Sequence, residues 1–197
     1  MTTLKAEKRS MDVKAKKLRR EGFVTGNLFG REIEGSIPLK FTKKEIEVLL
    51  KNNNKGSQVM LELDGKTYDA LIKEVDYNPL AHTVEEVDFQ ALVSNEMVHS
   101  TAEIILENEE KVMSGVLQDE LKEVAYKALP ADLVDKIKVD VAGMKIGDTL
   151  RVKDLEIAKN KNIHITTDPE AVVATVTPVH NVVPETETEA EETAEEK

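Results

Sequence analysis

The chain has 197 residues, a formal net charge of −11 at pH 7, and neither cysteine nor tryptophan. That length accommodates two ordinary domains, and with aromatics at only 4% their cores must be filled by Val, Ile and Leu, which favours β structure. The missing cysteine excludes disulfides, thiolate zinc sites and a cysteine nucleophile, and a charged start with no apolar run near the ~18 residues that span a bilayer gives the expectation of a soluble cytoplasmic protein without membrane contact.

Positive charge is concentrated at the start. Before position 21 stand Lys5, Lys8, Arg9, Lys14, Lys16, Lys17, Arg19 and Arg20, eight basic residues against Glu7 and Asp12; that excess of six leaves −17 on the remainder. Such asymmetry points to a polyanionic partner, the bland alternative being a solvated charged face. Residues 4 to 9 alternate weakly and read as a first strand, and MDVKAKKLRREG reads as a short helix or ordered loop ending at Gly22. FVTGNLF follows as a strand. Gly22, Gly26 and Gly30 are four apart, a spacing read as turn and bulge glycines because the segment is too polar for a membrane helix pair.

IEGSIPLKF is strand-like, with its proline pointing to an edge or a strand start. Thr42 and Glu45 form a capping box that opens the helix TKKEIEVLLKN, whose Ile46, Leu49 and Leu50 share one face. SQVMLEL and KTYDALIKEV flank Asp64-Gly65, a strong hairpin signal. After a turn at Asn78-Pro79, TVEEVDFQAL closes a first unit of about five strands and one or two helices, expected as a small β-barrel over residues 1–93.

A second β-rich unit is expected over residues 94–180. VHSTAEIILE, ELKEVAYKAL, DKIKVDVAGM, KIGDTLRVKDL, NIHITT and AVVATVTPV are short runs bounded by Gly, Pro, Asn or Asp, as in an all-β domain. Residues 181–197 are expected to be a disordered acidic tail, because seven glutamates beyond Pro184 offer nothing to bury. His82, His99, His164 and His180 lack the spacing of a metal site. No nucleophile, zinc-protease or dinucleotide motif occurs, and Gly65-Lys66-Thr67 is better explained by the hairpin than by a phosphate loop. Neither enzymatic activity nor a cofactor is expected.

The order of LKAEKR, KKLRREG, a glycine-bounded strand ending in Phe29-Gly30, YNPLAHTVEEVDFQAL and ALPADLVDKIKVDVAGMKIGDTLRVKDL resembles one family across about residues 3 to 177. It is the bacterial 5S rRNA-binding ribosomal protein family, twenty-fifth of the large subunit, in its two-domain general-stress form, Ctc. The resemblance implies an N-terminal barrel on 5S rRNA, a second β domain touching neighbouring ribosomal protein or rRNA, and a monomer when free. It implies RNA contacts from Arg9, Lys16, Lys17, Arg19, Phe29 and Asp88, with Lys14 and Arg20 in the same basic segment. Cations of this kind meet phosphates, and short polar groups face the shallow minor groove. The sequence departs from the family pattern at Phe29, where tyrosine is usual, and at Glu86, where histidine is usual. It departs also at Met11-Asp12-Val13, Thr25, Lys16 and Lys17, where lysine replaces the bidentate arginine. These departures imply a stress-associated interaction protein with weakened RNA binding as the alternative reading.

Overall fold

A computed structural model describes residues 2–112 and 115–178. The expected acidic tail and His180 lie outside the described residues. The first unit runs β1 (Thr2–Lys8), α1 (Ala15–Arg20), β2 (Phe23–Phe29), β3 (Ser36–Thr42), α2 (Lys43–Asn52), β4 (Gln58–Leu63), β5 (Lys66–Asn78) and β6 (Thr83–Ala91).

Its six strands close into a barrel in the order β1-β3-β2-β6-β5-β4. Parallel pairing of β1 with β4, from Thr2↔Val59 to Ala6↔Leu63, seals the seam; β2 and β6 form the second parallel pair. Closure removes the free edges that an open sheet would expose. The period-2 alternation turns Leu4, Ala6, Val24, Leu28, Leu39, Phe41, Val59, Leu61, Val87 and Phe89 into one core, where the Phe41 and Phe89 rings tilt against each other at 5.4 Å. The capping box holds: Thr42 Oγ1 accepts from Glu45 N while Glu45 Oε2 accepts from Thr42 N, and α2 adds Ile46 and Leu49 to the same core. Asp64 and Gly65, at φ 50° and 77°, make the two-residue hairpin that the sequence announces.

Two local expectations need correction. The first helix occupies only Ala15–Arg20, not the whole of MDVKAKKLRREG. Ser10 Oγ donates to Asp12 Oδ2 at 2.9 Å and accepts from Asp12 N at 3.3 Å, and such side-chain bonds compete with helix formation. Gly22, at φ +89° just past the helix, is the turn glycine expected. Gly26 is neither turn nor bulge: it lies inside β2, where a Cβ would stand 2.0 Å from the Val87 carbonyl oxygen. It is there to let β2 and β6 approach.

The second unit comprises β7 (Val98–Glu107), β8 (Val116–Asp119), β9 (Glu123–Ala128), β10 (Lys136–Asp140), β11 (Thr149–Arg151), β12 (His164–Ile165) and β13 (Val172–Thr177). A four-stranded sheet, β10-β7-β9-β12, and a three-stranded sheet, β11-β13-β8, contribute Ala102, Ile104, Val124, Tyr126, Ile137, Val173 and Ala174 to one core. Tyr126, fully buried, donates its hydroxyl to Val134 O at 2.6 Å and accepts from Val134 N at 2.8 Å, so its polar end is satisfied. Burial pushes its ionisation above the usual tyrosine value. β8 escapes a pattern reading because only Leu117 of its four residues packs on the core. The protein is mainly β, a barrel followed by a second β domain.

Candidate nucleic-acid interface

Because Val24 and Leu28 point into the barrel, their alternates Thr25, Asn27 and Phe29 belong to the outer face of β2. The same alternation puts Glu86, Asp88 and Gln90 on the outer face of β6. Parallel registry sets Thr25 beside Glu86 and Phe29 beside Gln90. On the other side, Asn27 pairs with Pro38 of β3, and Arg9 N donates to Pro38 O at 2.9 Å. Arg9, Pro38, Asn27 and Asp88 thus lie in one row across four strand positions. At the usual inter-strand spacing this row spans about 14 Å.

Asp88 is half-buried and has found its partner. One carboxylate oxygen accepts from Asn27 N at 3.0 Å and from Asn27 Nδ2 at 3.1 Å, while the same amide reaches Glu86 Oε1 at 3.3 Å. A carboxylate bonded this way to a backbone N–H is fixed in orientation, which leaves its other oxygen as an oriented acceptor.

Arg19 is also held. Its Nη1 lies 2.8 Å from Glu85 Oε2 and its Nη2 3.5 Å from Glu86 Oε2, and Nε donates to Glu85 O at 3.2 Å. Two consecutive carboxylates reach one guanidinium because the β5–β6 register slips between Asp76 and Tyr77, leaving Glu85 as the extra residue of a bulge. Bulges re-aim side chains in this way. Arg19 therefore joins α1 to β6, its charge offset by the two carboxylates.

Arg9 is half-buried, with Nη2 donating to Val13 O at 3.1 Å; its Nε is buried without a partner. Lys14, Lys16, Lys17 and Arg20 are exposed around α1. Lys17 has Glu21 at 3.8 Å, a weak surface pair, whereas Lys14, Lys16 and Arg20 make no ion pair among the described residues. Phe29 is half-buried at the end of β2, opposite Ser36. Arg9, Arg19, Phe29 and Asp88 accordingly share the outer surface of neighbouring strands and α1.

Asn27 and Glu85 are part of this arrangement although no sequence pattern singles them out. The one signal for Asn27 is a carboxamide inside an otherwise apolar strand run. Among the described residues no three His, Asp or Glu side chains group as a metal site, and no helix is long and apolar enough to cross a membrane.

Comparison with known proteins agrees with this architecture. The Ribosomal L25p family profile matches residues 4–89, and that of the ribosomal protein TL5 C-terminal domain matches residues 97–180. The large ribosomal subunit protein bL25 of Carboxydothermus hydrogenoformans is 32% identical over 190 residues, covering 92% of this chain and 94% of that protein. Its namesake from Bacillus velezensis is 31% identical over 183 residues, 90% and 89% of the two chains. That from Caldanaerobacter subterraneus is 30% identical over 196 residues, 98% of each. With both halves matched in order and full-length relatives above the level of chance resemblance, the chain belongs to the bacterial bL25 family of structural, non-enzymatic ribosomal proteins, in its two-domain Ctc-type form.

Proposed function

We propose that the barrel binds 5S rRNA through the outer face of β2 and β6, with the cations of Arg9 and α1 beside it, and that the protein works in the cytoplasm as part of the large ribosomal subunit. The observation that carries this reading is the row Arg9, Asn27, Asp88. It sets a cation beside a fixed amide and a fixed carboxylate, a spacing of groups suited to a phosphate next to a minor groove. A-form RNA exposes 2′-hydroxyls and base edges in that groove, where side chains reach them. Lys14, Lys16, Lys17 and Arg20 supply further phosphate contacts, and Phe29 supplies an aromatic face at the rim. The second domain touches neighbouring ribosomal protein or rRNA.

A gel shift on 5S rRNA across a salt series tests this. Log affinity is expected to fall with log salt at roughly −0.7 to −0.9 per neutralised phosphate, and Lys16→Gln with Arg20→Gln, both exposed, should flatten that slope without lowering thermal stability. Intact protein that ignores 5S rRNA in dilute buffer would end the proposal. Charge reversal at Arg19 is unsuitable for this test, because a third carboxylate would meet Glu85 and Glu86 and destabilise the fold.

A second reading, an interaction protein with weakened RNA binding, draws on one observation. Glu85 and Glu86 neutralise the Arg19 guanidinium. Cosedimentation with 50S particles separates the two readings, the second expecting little of the protein in the particle fraction.

A further inference from the structure

The row on the barrel does not stop at Asp88. Asp88 pairs with Glu74 of β5, and β5 carries its own irregularity there: the register slips between Ile72 and Glu74, so Lys73 is an extra residue pushed out of the ladder. Its Nζ donates to His99 O at the start of β7, 2.7 Å away. Lys73 thereby stands where the barrel meets the second domain. The place is a cleft of about 280 Å³ lined by Lys55, Lys73, Glu74, His99, Ser100 and Thr101, among others. Lys127 faces His99 directly across the β7–β9 ladder.

These cations stand together in the part of the chain that, beyond its first twenty residues, carries a net charge of −17. Lys55 has one carboxylate at ion-pair distance, Glu123 at 3.7 Å, and Glu74 lines the cleft beside Lys73. Burial, then the charge of Lys55, lowers the Lys73 pKa against Glu74. His99 is lowered by loss of solvation and then by Lys127 and Lys73. The ammonium groups of Lys55 and Lys73, held close enough to oppose one another's charge, are stabilised by an anion, and the cleft is open to one.

We infer that the cleft between barrel and second domain, lined by Lys55, Lys73 and His99 with Lys127 beside His99 on the next strand, takes a backbone phosphate of the bound RNA. This rests on the RNA reading above and deepens it. Arg9 lies on one flank of the Asn27–Asp88 strip and the cleft lies on the other, one strand beyond Asp88. A strip of acceptors with cations along both flanks straddles a groove, each flank meeting one of the two backbones. The second domain, through His99 and Lys127, then contributes to RNA binding directly.

The test uses full-length protein and 5S rRNA. Lys127→Gln, which removes no hydrogen bond found at the junction, and the double variant Lys55→Gln/Lys73→Gln are compared with the parent by gel shift from low to moderate salt. Each folded variant is expected to show a salt slope shallower by about one unit for every phosphate it no longer neutralises. Backbone cleavage protection is expected on two strands with the parent and on one with the double variant. Parent-like slope and protection in both variants would overturn the inference and leave the RNA reading standing. A parent protein that does not bind 5S rRNA would overturn both. Failure to associate with 50S particles at unchanged slope on free 5S rRNA would assign the cleft to a protein partner instead, which also overturns it.

Discussion

Substitution can separate the structural role of Asp88 from the RNA contact proposed for it. Removing its carboxylate leaves the Asn27 backbone N–H without its 3.0 Å acceptor, and losing a hydrogen bond to a half-buried charged acceptor costs about 1–3 kcal/mol. Asp88→Ala should therefore lower unfolding free energy in urea by about that much, and should weaken 5S rRNA binding more than Asp88→Asn, which keeps an acceptor oxygen in place. Equal losses from the two variants would reduce Asp88 to a structural role. Glu86 makes the opposite prediction. Its contact with Arg19 is the longer of the two ion pairs, 3.5 Å against 2.8 Å for Glu85, so Glu86→Gln leaves Arg19 anchored. A unit charge about 6 Å from a phosphate in a water-like dielectric is worth about 0.7 kcal/mol. Glu86→Gln should thus tighten RNA binding about threefold, read by gel shift. An unchanged affinity would put Glu86 away from the RNA.

The elements that position these groups differ in how far the sequence reveals them. The α2 capping box and the Asp64-Gly65 hairpin are local chemistry, written within four residues, and the structure has both. The parallel pairing of β2 with β6 joins segments about sixty residues apart, and no local pattern announces it. For that reason Asp88 can be picked out as an acid needing a partner while Asn27 cannot be named as that partner. The same pairing decides Gly26, whose spacing from Gly22 and Gly30 suggests turn chemistry but whose role is close approach to Val87 O. Gly26→Ala must push two backbones apart in a closed sheet. Overpacking of this kind typically costs about 1–3 kcal/mol and more where the obstacle is backbone, so the barrel should lose at least about 3 kcal/mol in denaturant unfolding. Gly65→Ala, with nothing within 4 Å of its Cβ, serves as the comparison and pays only for its positive φ. The basic segment is legible as charge and as a short helix or ordered loop ending at Gly22, but the start of the helix is not, because the Ser10–Asp12 turn consumes its first residues.

Across the whole molecule, the two domains are joined by more than covalent linkage. Gly56, at φ +89°, brings its Cα so near β7 that a Cβ would lie 1.9 Å from Thr101 O. Around it Asn54 Nδ2 donates to Glu103 Oε2, Ser57 Oγ to Asp135 Oδ2 at 3.3 Å, and Ser100 Oγ to Gly56 O at 3.5 Å. Gly56→Ala should open this junction while each core stays folded, seen as a larger radius of gyration in solution scattering and faster proteolysis near residues 92–97. Identical scattering would mean that the backbones absorb the methyl group. The second domain should also lose stability in acid. Hydrogen bonding to Lys153 and then Arg151 holds Glu170 below the usual carboxylate range, and the Ala142 N–H and then the Asn108 amide do the same for Asp140. Groups whose folded pKa is depressed contribute stability that is complete above the unfolded value and is lost as pH falls through the folded one. Urea unfolding followed by a second-domain probe across pH should register the loss below about pH 4, and a midpoint unchanged there would show that these exposed pairs contribute nothing.

The sealed seam between β1 and β4 bears on the order of events during synthesis. Every strand of the barrel has been made once residue 91 has been added, so the N-terminal half can finish folding once that stretch has cleared the ribosome, while its successor is still being translated. At roughly 5–20 residues per second, the 106 residues that follow take on the order of 5–21 s to appear. During that interval an edge-free barrel already displays its Arg9, Asn27 and Asp88 row, and a nascent protein can begin to engage its target before the rest of it exists.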